Sequence, residues 1–460
     1  MRIIHTSDWH LGQFFYGKSR AHEHQAFFNW LLTQAKIHHV DAIIVAGDIF
    51  DTGTPPSYAR EMYFNFIAKL SQLDCQLIVL AGNHDSVAML GESKTLVSSL
   101  STHVVPMALA QQRAENQQQI DDYLAQQVIE IKDQQGKQQA VICAIPFIRP
   151  RDVQISKAGQ SAKEKQQTLQ QAIADHYQVL FAHAQTLAED NTPIIATGHL
   201  TAVGAKTSDS VRDIYIGTLD AFPANAFPPA NYIALGHIHR PQIIGKQDHI
   251  RYCGSPIALS FDEAKTDKSV LLVEFTQDKN PVITPLNVPR VQGLAMVKTS
   301  LDTLAQDIES IVEQQSKQLT EQLAYHNQAL EVNALGLEVT QNMWLDIEIS
   351  SEGYLEGLHQ KINQLTEDLP VEVLLVRRAK KARITGQKTQ QHISLSELTV
   401  DDVFQQRLAQ EDWSEEATAA RKPRLELLFN QVVEQLNETP EDTNVDSSAA
   451  DINSAQGELL

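Results

Sequence analysis

Short apolar runs recur along the first half of the chain, and five of them break off at a Gly or Ser followed by a potential cation ligand. Arg2–Thr6 leads into Ser7-Asp8, and Ala42–Ala46 into Gly47-Asp48. Gln76–Ala81 leads into Gly82-Asn83-His84-Asp85, Pro193–Thr197 into Gly198-His199, and Tyr232–Leu235 into Gly236-His237. Runs rich in Ile, Val, Leu and Ala without polar alternation predict strands buried on both faces. The glycine after most of them permits the sharp turn that follows. Between strands, Ala21–His38 carries Phe27, Phe28, Leu31, Leu32 and Ala35 at helical spacing, and Tyr58–Leu73 behaves similarly. Alternating β and α elements imply a layered α/β architecture. Such sheets place ligands beyond the carboxyl ends of their strands, which is where all five polar groups fall. Further runs at Ala140–Ile145, Ile250–Cys253 and Ser269–Phe275 extend this first domain over residues 1–280.

Residues 281–385 alternate again at smaller scale, with strands expected at Gly293–Thr299, Met343–Ile349 and Val371–Val376 and a helix at Tyr354–Glu367. Residues 386–437 read as helical. Val400–Leu408 and Arg424–Leu436 are the strongest segments there, and Ser394-x-x-Glu397 fits a capping box. Their apolar stripes, including Val403, Phe404, Leu408, Leu428 and Phe429, offer a partner site or pack on one another. Residues 438–460 hold six acidic residues and no Lys or Arg, so an acidic disordered tail is expected. The Gln-rich stretches Gln111–Gln139 and Gln314–Gln341 read as surface insertions or extended helices.

The formal net charge of −20 argues against wrapping nucleic acid by charge alone. Local cations change that picture. Arg377, Arg378, Lys380, Lys381 and Arg383 put five positive charges within seven residues, directly after a predicted strand. Arg149, Arg151, Arg212 and Arg240 lie near the strand-end loops. All nine are candidate phosphate contacts, although a solvated charged face reads equally well from composition. No base-reading motif occurs. Cys75, Cys143 and Cys253 form no CxxC pair, which excludes a disulfide scaffold or thiolate zinc site. With no apolar stretch of membrane-spanning length and no secretory leader pattern, a cytoplasmic protein without membrane attachment is expected.

The strand ends supply Asp8, His10, Asp48, Asn83, His199, His237 and His239. Asp8-x-His10 and His237-x-His239 would each point two side chains one way if the backbone were extended. Singly, His199 or His237 reads as a hydrogen-bonded loop histidine and Asp48 as a turn residue. Together they form a mixed oxygen and imidazole set without thiolate. That set suits Mn, Fe or Zn better than Mg, for which four imidazoles are too soft a shell.

DWH, GDIFD, GNHD, GHL and GHIH, in that order, resemble the five motifs of the calcineurin-like metallophosphoesterase superfamily. HTSDWHLGQ, DTGTPPSYAR, LAGNHDS, PFIRPRD, RDIYIGTLDAFP, ALGHIHRPQIIG and YCGSPIALSF resemble the bacterial SbcD family of nuclease subunits within it. The resemblance implies a four-layer αββα sandwich with a smaller α/β capping domain and C-terminal helices. It also implies two divalent cations, most readily Mn. Asp8, His10 and His239 would hold one, Asn83, His199 and His237 the other, and Asp48 would bridge. His84 would act on the phosphoester without being a ligand, and Asp51 would orient it. Asp85 is read as structural.

By the same resemblance the activity would be 3′→5′ exonuclease and hairpin or single-strand endonuclease. It would be gated by ATP through an SbcC-type ATPase partner, in a homodimer within a heterotetramer. No GxxxxGK[ST] loop occurs in this chain itself. Two alternatives stay open: a phosphatase or small-molecule phosphodiesterase, and a non-catalytic DNA-end scaffold. Serine/threonine phosphatases of the superfamily usually follow GDxxD with Arg-Gly and read GNHE, whereas Thr52-Gly53 and GNHD stand here.

Overall fold

The computed structural model describes residues 1–111, 114–153, 161–211, 221–276, 278–329, 342–350, 358–378 and 425. The chain divides into two units, Met1–Lys380 and Lys381–Leu460. Apart from Leu425, the second unit lies outside the described residues, as do Arg212 and Lys380. The expected helical segment, the acidic tail, Lys381 and Arg383 therefore fall outside them too.

The first sheet is laid down by β1 (Arg2–Thr6), β4 (Ala42–Ala46), β5 (Gln76–Leu80) and β6 (Thr102–Val105), with a two-stranded hairpin of β2 (Phe14–Phe15) and β3 (Lys18–Ser19) after β1. The second sheet comprises β7 (Val128–Lys132), β8 (Gln138–Cys143), β9 (Ile194–His199), β10 (Tyr232–Gly236), β11 (Gln242–Ile244) and β12 (Gln247–Tyr252). The chain then returns to the first sheet with β13 (Ser269–Phe275) and β14 (Pro281–Asn287). The strand orders are β14-β13-β1-β4-β5-β6 and β11-β12-β10-β9-β8-β7; the first sheet is parallel from β1 to β6 and antiparallel at its β13 and β14 side, and the second is parallel in the centre and antiparallel at both edges.

Every residue of Ala42–Ala46 is buried, as a strand covered on both faces requires. Ile44, Ala46, Ile78 and Leu80 face Ile142, Ile195 and Ala234 in an apolar layer between the sheets. The opposite face of the first sheet packs on the helices Ala21–Ile37 and Ser57–Leu70 through Phe27, Leu31, Tyr63 and Phe66. The outer face of the second sheet packs on the helix Ala162–Leu187 through Leu169, Ile173, Tyr177 and Leu180. These are the four layers αββα.

Two expectations fail here. Pro281–Asn287 was expected to open the second domain, but it pairs along its whole length with β13 and is an edge strand of the first sheet. Pro281 and Pro285 are tolerated because an edge strand leaves some backbone N–H positions unpaired. Of the two readings of Gln111–Gln139, surface insertion or extended helix, the second holds for Gln117–Gln127, but the stretch also carries strand β7 and the start of β8, which neither reading includes. Gln127 is fully buried, and its amide bridges the backbone N–H and C=O of Leu109 at 2.9 Å each.

The smaller domain is a parallel sheet of β15 (Leu294–Thr299), β16 (Met343–Ile349) and β17 (Val371–Arg378), with helices Leu304–Ala329 and Leu358–Thr366. The second Gln-rich stretch thus lies partly on a helix. Trp344 of this domain stacks on Phe15 of the hairpin, and the buried Arg20 guanidinium lies 4.9 Å from the Phe15 ring centre. No described helix is long and apolar enough to cross a membrane.

Three buried histidines outside the expected ligand set put an acid limit on this fold. Burial pushes His5 and His24 down to about 3 and His176 to about 4. The unfolded chain takes up protons on them near pH 6.5 while the folded chain does not, so their contribution is complete above that pH and is lost as pH falls. Unfolding free energy measured in urea is expected to drop by roughly 4 kcal/mol per pH unit between pH 6 and 4, about 1.4 for each histidine. A flat profile over that range would contradict these environments.

Candidate metal centre

All seven expected ligands converge at the carboxyl ends of five strands, three from the first sheet and two from the second. Asp8, His10 and His239 form one group whose ligand atoms lie within 4.8 Å of one another, and Asp48, His199 and His237 form another. Asp48 Oδ2 lies 3.6 Å from His10 Nε2 and 3.2 Å from His199 Nε2, between the two groups. Asn83 Oδ1 is 3.0 Å from His199 Nε2.

Asp8-x-His10 does not achieve this by strand alternation, as the spacing suggested. Asp8, His10, Asp48 and His237 all have left-handed backbone, with φ of 53°, 47°, 51° and 96°. Left-handed conformations at non-glycine residues are costly and persist only where the surroundings over-determine them. Here the surroundings are a backbone zipper between the first two loops. Asp8 N–H donates to Gly47 O at 3.0 Å, His10 N–H to Asp48 O at 3.0 Å, Leu11 N–H to Ile49 O at 2.9 Å, and Asp51 N–H to Leu11 O at 3.1 Å. The buried Asp85 carboxylate ties in the third loop by accepting from Ile49, Phe50 and Gly82 N–H. Burial and the nearby Asp48 charge raise its pKa to about 6.

Among the links that cross between the sheets, two involve expected ligands directly. His237 N–H donates to the Asp8 carboxylate at 3.0 Å, and His199 Nδ1–H donates to Ala46 O at 2.8 Å. Gly47, at φ 95°, leaves the room for that imidazole, because a Cβ there would sit 2.1 Å from His199 Nδ1.

The electrostatics fit a cation site. Burial disfavours a charged His199, but the charge and hydrogen bond of Asp48, helped by Asp8, hold its pKa up at about 9. Burial also opposes charge on His10, yet its hydrogen bond to Asp51 and the charges of Asp48 and Asp8 raise its pKa. His237 goes the other way, pushed down by burial and by its cationic neighbour His199. Among the described residues, the buried Nε2 atoms of His10 and His237 have no hydrogen-bond partner. Orphaned buried nitrogens beside carboxylates are what a divalent cation would satisfy, so the donor set fits the group.

His84 is half-buried, and its ring centre lies 4.7 Å from that of His10. It does not diverge wholly from the ligands, since it also lies within ligand reach of His10 and Asp48. Its Nδ1–H donates to the main-chain carbonyl of Asp51 at 2.7 Å, and its backbone N–H to Asp48 Oδ1 at 2.9 Å. The Asp51 carboxylate, expected on His84, instead accepts from His10 Nδ1 at 3.1 Å. The zipper fixes this exchange by placing the Asp51 backbone against Leu11.

The candidate phosphate contacts are mostly engaged. Arg149 reaches the Asp85 carbonyl at 3.3 Å beside the site, and Arg151 lies on the surface near Asp152. Arg240 is paired with Asp262 at 2.8 Å, and Arg377 forks onto Asp346 with Nε at 3.0 Å. Arg378 is exposed at the end of β17. Sequence reasoning missed Ser210, Glu263 and Lys268, which sit behind His239. Only the folded chain brings them there, and none carries a ligand-like spacing.

Residues 1–241 match the family model described as calcineurin-like phosphoesterase. Residues 292–412 match the one described as type 5 capsule protein repressor C-terminal domain. The chain is 50% identical over 439 residues to the SbcD subunit of the SbcCD nuclease of Escherichia coli (strain K12), covering 95% of this chain and 98% of that protein. It is 33% identical to the protein of the same name from Rhodobacter capsulatus over 63% of this chain and 70% of that one. The Bacillus subtilis protein is 31% identical over 60% and 66%. The chain belongs to the calcineurin-like phosphoesterase family and, within it, to the SbcD group.

Proposed function

We propose that this chain is the nuclease subunit of an SbcCD-type complex, hydrolysing DNA phosphodiesters with two divalent cations of the Mn class. One observation carries the reading: two groups of buried Asp and His donors lie side by side, with Asp48 Oδ2 3.6 Å from His10 Nε2 and 3.2 Å from His199 Nε2, in a chain 50% identical to a nuclease subunit over nearly its full length. Asp8, His10 and His239 would hold one cation, Asn83, His199 and His237 the other, with Asp48 common to both. When bound, such a pair supplies charge neutralisation at the scissile phosphate and activation of the attacking water.

The protein's own groups do the rest. Asp51 orients His10 through its carboxylate and fixes the His84 tautomer through its carbonyl, since only a protonated Nδ1 can donate there. With Nδ1–H committed to that carbonyl, a neutral His84 presents only a lone pair at Nε2, so a proton for the leaving sugar oxygen would come from Nε2 of the doubly protonated ring. Arg149, whose guanidinium reaches the Asp85 carbonyl, would meet a neighbouring phosphate, and Arg151 and Arg378 would follow the backbone further out. The activities are 3′→5′ exonuclease on duplex ends and endonuclease on hairpins and single strands. They serve DNA end processing in repair, recombination and replication, in the cytoplasm. An SbcC-type ATPase would gate them, with two copies of each chain in the assembly.

The test uses purified protein with Mn, with and without the ATPase partner and ATP. Cleavage of hairpin and end-blocked DNA is compared with hydrolysis of p-nitrophenyl phosphate. DNA cleavage far exceeding phosphomonoester turnover is expected; the reverse would favour a phosphatase, and no turnover a scaffold. His84→Ala is expected to lower kcat by about 10²–10⁴-fold while Mn binding measured by calorimetry stays intact. Unchanged kcat would remove His84 from the mechanism.

A further inference from the structure

The outward-facing nitrogen of each metal-site histidine needs a partner, because a ligand imidazole is aimed by what its other nitrogen touches. His199 uses the Ala46 carbonyl and His10 the Asp51 carboxylate. His239 uses a longer arrangement. Its Nδ1 lies 2.6 Å from Ser210 Oγ, which in turn donates to Glu263 Oε1 at 2.6 Å. Nδ1 itself is 3.5 Å from that carboxylate oxygen. Glu263 is completely buried and unusually well supplied with donors. Ser208 Oγ donates to Oε1 at 2.7 Å, and Leu259 N–H to Oε2 at 3.0 Å. Lys268 Nζ lies 2.5 Å from Oε2.

The same buried Lys268 ammonium donates to the main-chain carbonyl of His239 at 3.0 Å and to Ser255 Oγ at 2.8 Å. His239 is thus gripped at both ends by one ion pair. Its ring is held through Ser210 and Glu263, its backbone through Lys268. A core ion pair of purely structural purpose has no need to converge on both the imidazole and the carbonyl of one residue. With Nδ1 engaged, Nε2 is the nitrogen left for a ligand, and it lies 3.9 Å from Asp8 Oδ1.

We infer that Glu263 is a positioning residue for the Asp8–His10–His239 cation site, acting on His239 through Ser210 and, through Lys268, on the His239 backbone. The inference rests on the metal-site reading above. It adds a specific asymmetry: among the described residues, the site shared by His199 and His237 has no hydrogen bond or ion pair to Glu263.

The experiment titrates the full-length, cation-stripped protein with Mn by calorimetry and by electron paramagnetic resonance of free Mn. Wild type is expected to show two binding events. Glu263→Gln keeps the shape and removes the charge, and is expected to weaken one event by about 10–100-fold while sparing the other. Ser210→Ala should weaken the same event, and Ser210→Thr, which keeps the hydroxyl, should restore it. In a double-mutant cycle, Glu263→Gln should add little to His239→Ala, because both act on one site.

Equal affinities in wild type, Glu263→Gln and Ser210→Ala would overturn the inference and leave the metal site standing. Equal weakening of both events would overturn it as well, by reducing Glu263 to general support. Failure of wild type to take up Mn would overturn the underlying reading instead. Should Glu263→Gln not fold, the Ser210→Ala and Ser210→Thr pair decides, since Ser210 is only half-buried and both variants leave the Glu263–Lys268 ion pair in place.

Discussion

Asp48→Asn is expected to abolish Mn-dependent DNA cleavage, by on the order of 10⁴-fold or about 5 kcal/mol of transition-state stabilisation. Asparagine is the informative replacement. It is nearly isosteric, and it tolerates the left-handed backbone that Asp48 adopts at φ 51°, so the loop has little reason to rearrange. What is lost is the one charge lying between the two donor groups, 3.6 Å from His10 and 3.2 Å from His199. A second readout needs no substrate. Asp48 is the main reason that His199 remains cationic with a pKa of about 9 against the pull of burial. In metal-free Asp48→Asn the burial effect should dominate and the imidazole should be neutral at pH 7, which histidine NMR would report. Retained cleavage together with a still-charged His199 would refute the assignment of Asp48 as the shared ligand.

Among the described glycines, Gly236→Ala should be the most damaging alanine replacement. A Cβ at this position would lie 1.8 Å from the Ala46 carbonyl oxygen and 2.9 Å from His199 Nδ1. Neither neighbour can yield cheaply, because that carbonyl is the acceptor that orients His199 and belongs to the fully buried β4. The expected cost is roughly 3–5 kcal/mol, at the upper end for overpacking because the obstruction is backbone. Urea unfolding should register the loss even without cations, and Mn affinity should fall with it. A variant of wild-type stability would mean that the two sheets are not in such close contact at this point.

How much of this could be read from the chain alone depended on whether local pattern and tertiary role agreed. Ala42–Ala46 is apolar throughout and stops at Gly-Asp, so strand, turn and ligand are legible together. The grouping of Asp8, His10 and His239 against Asn83, His199 and His237 came from motif resemblance, since the residues of each group lie far apart in the sequence. Strand β7 was missed because Gln-rich neighbours mask it, and because a buried glutamine such as Gln127 looks polar until its Leu109 partners are in place. The strand Pro281–Asn287 was assigned to the wrong domain because two prolines and an exposed alternation resemble a linker, yet an edge strand tolerates both. The left-handed ligand backbones left only a weak mark in the residue types, Asp and His being among those that enter that region most readily. Nothing in the residue types marks Asp51 turning its carboxylate to His10 while its carbonyl takes His84. Both depend on a zipper of main-chain bonds, which side-chain spacing does not encode.

The division of the donors between two sheets also bears on when a cutting site can exist during synthesis. Asp8, His10, Asp48 and Asn83 are made early, but His199, His237 and His239 arrive only with the second sheet. A growing polypeptide that has not yet passed residue 239 can present at most a fragment of the cage. A product ending before that point lacks at least one of the seven candidate ligands.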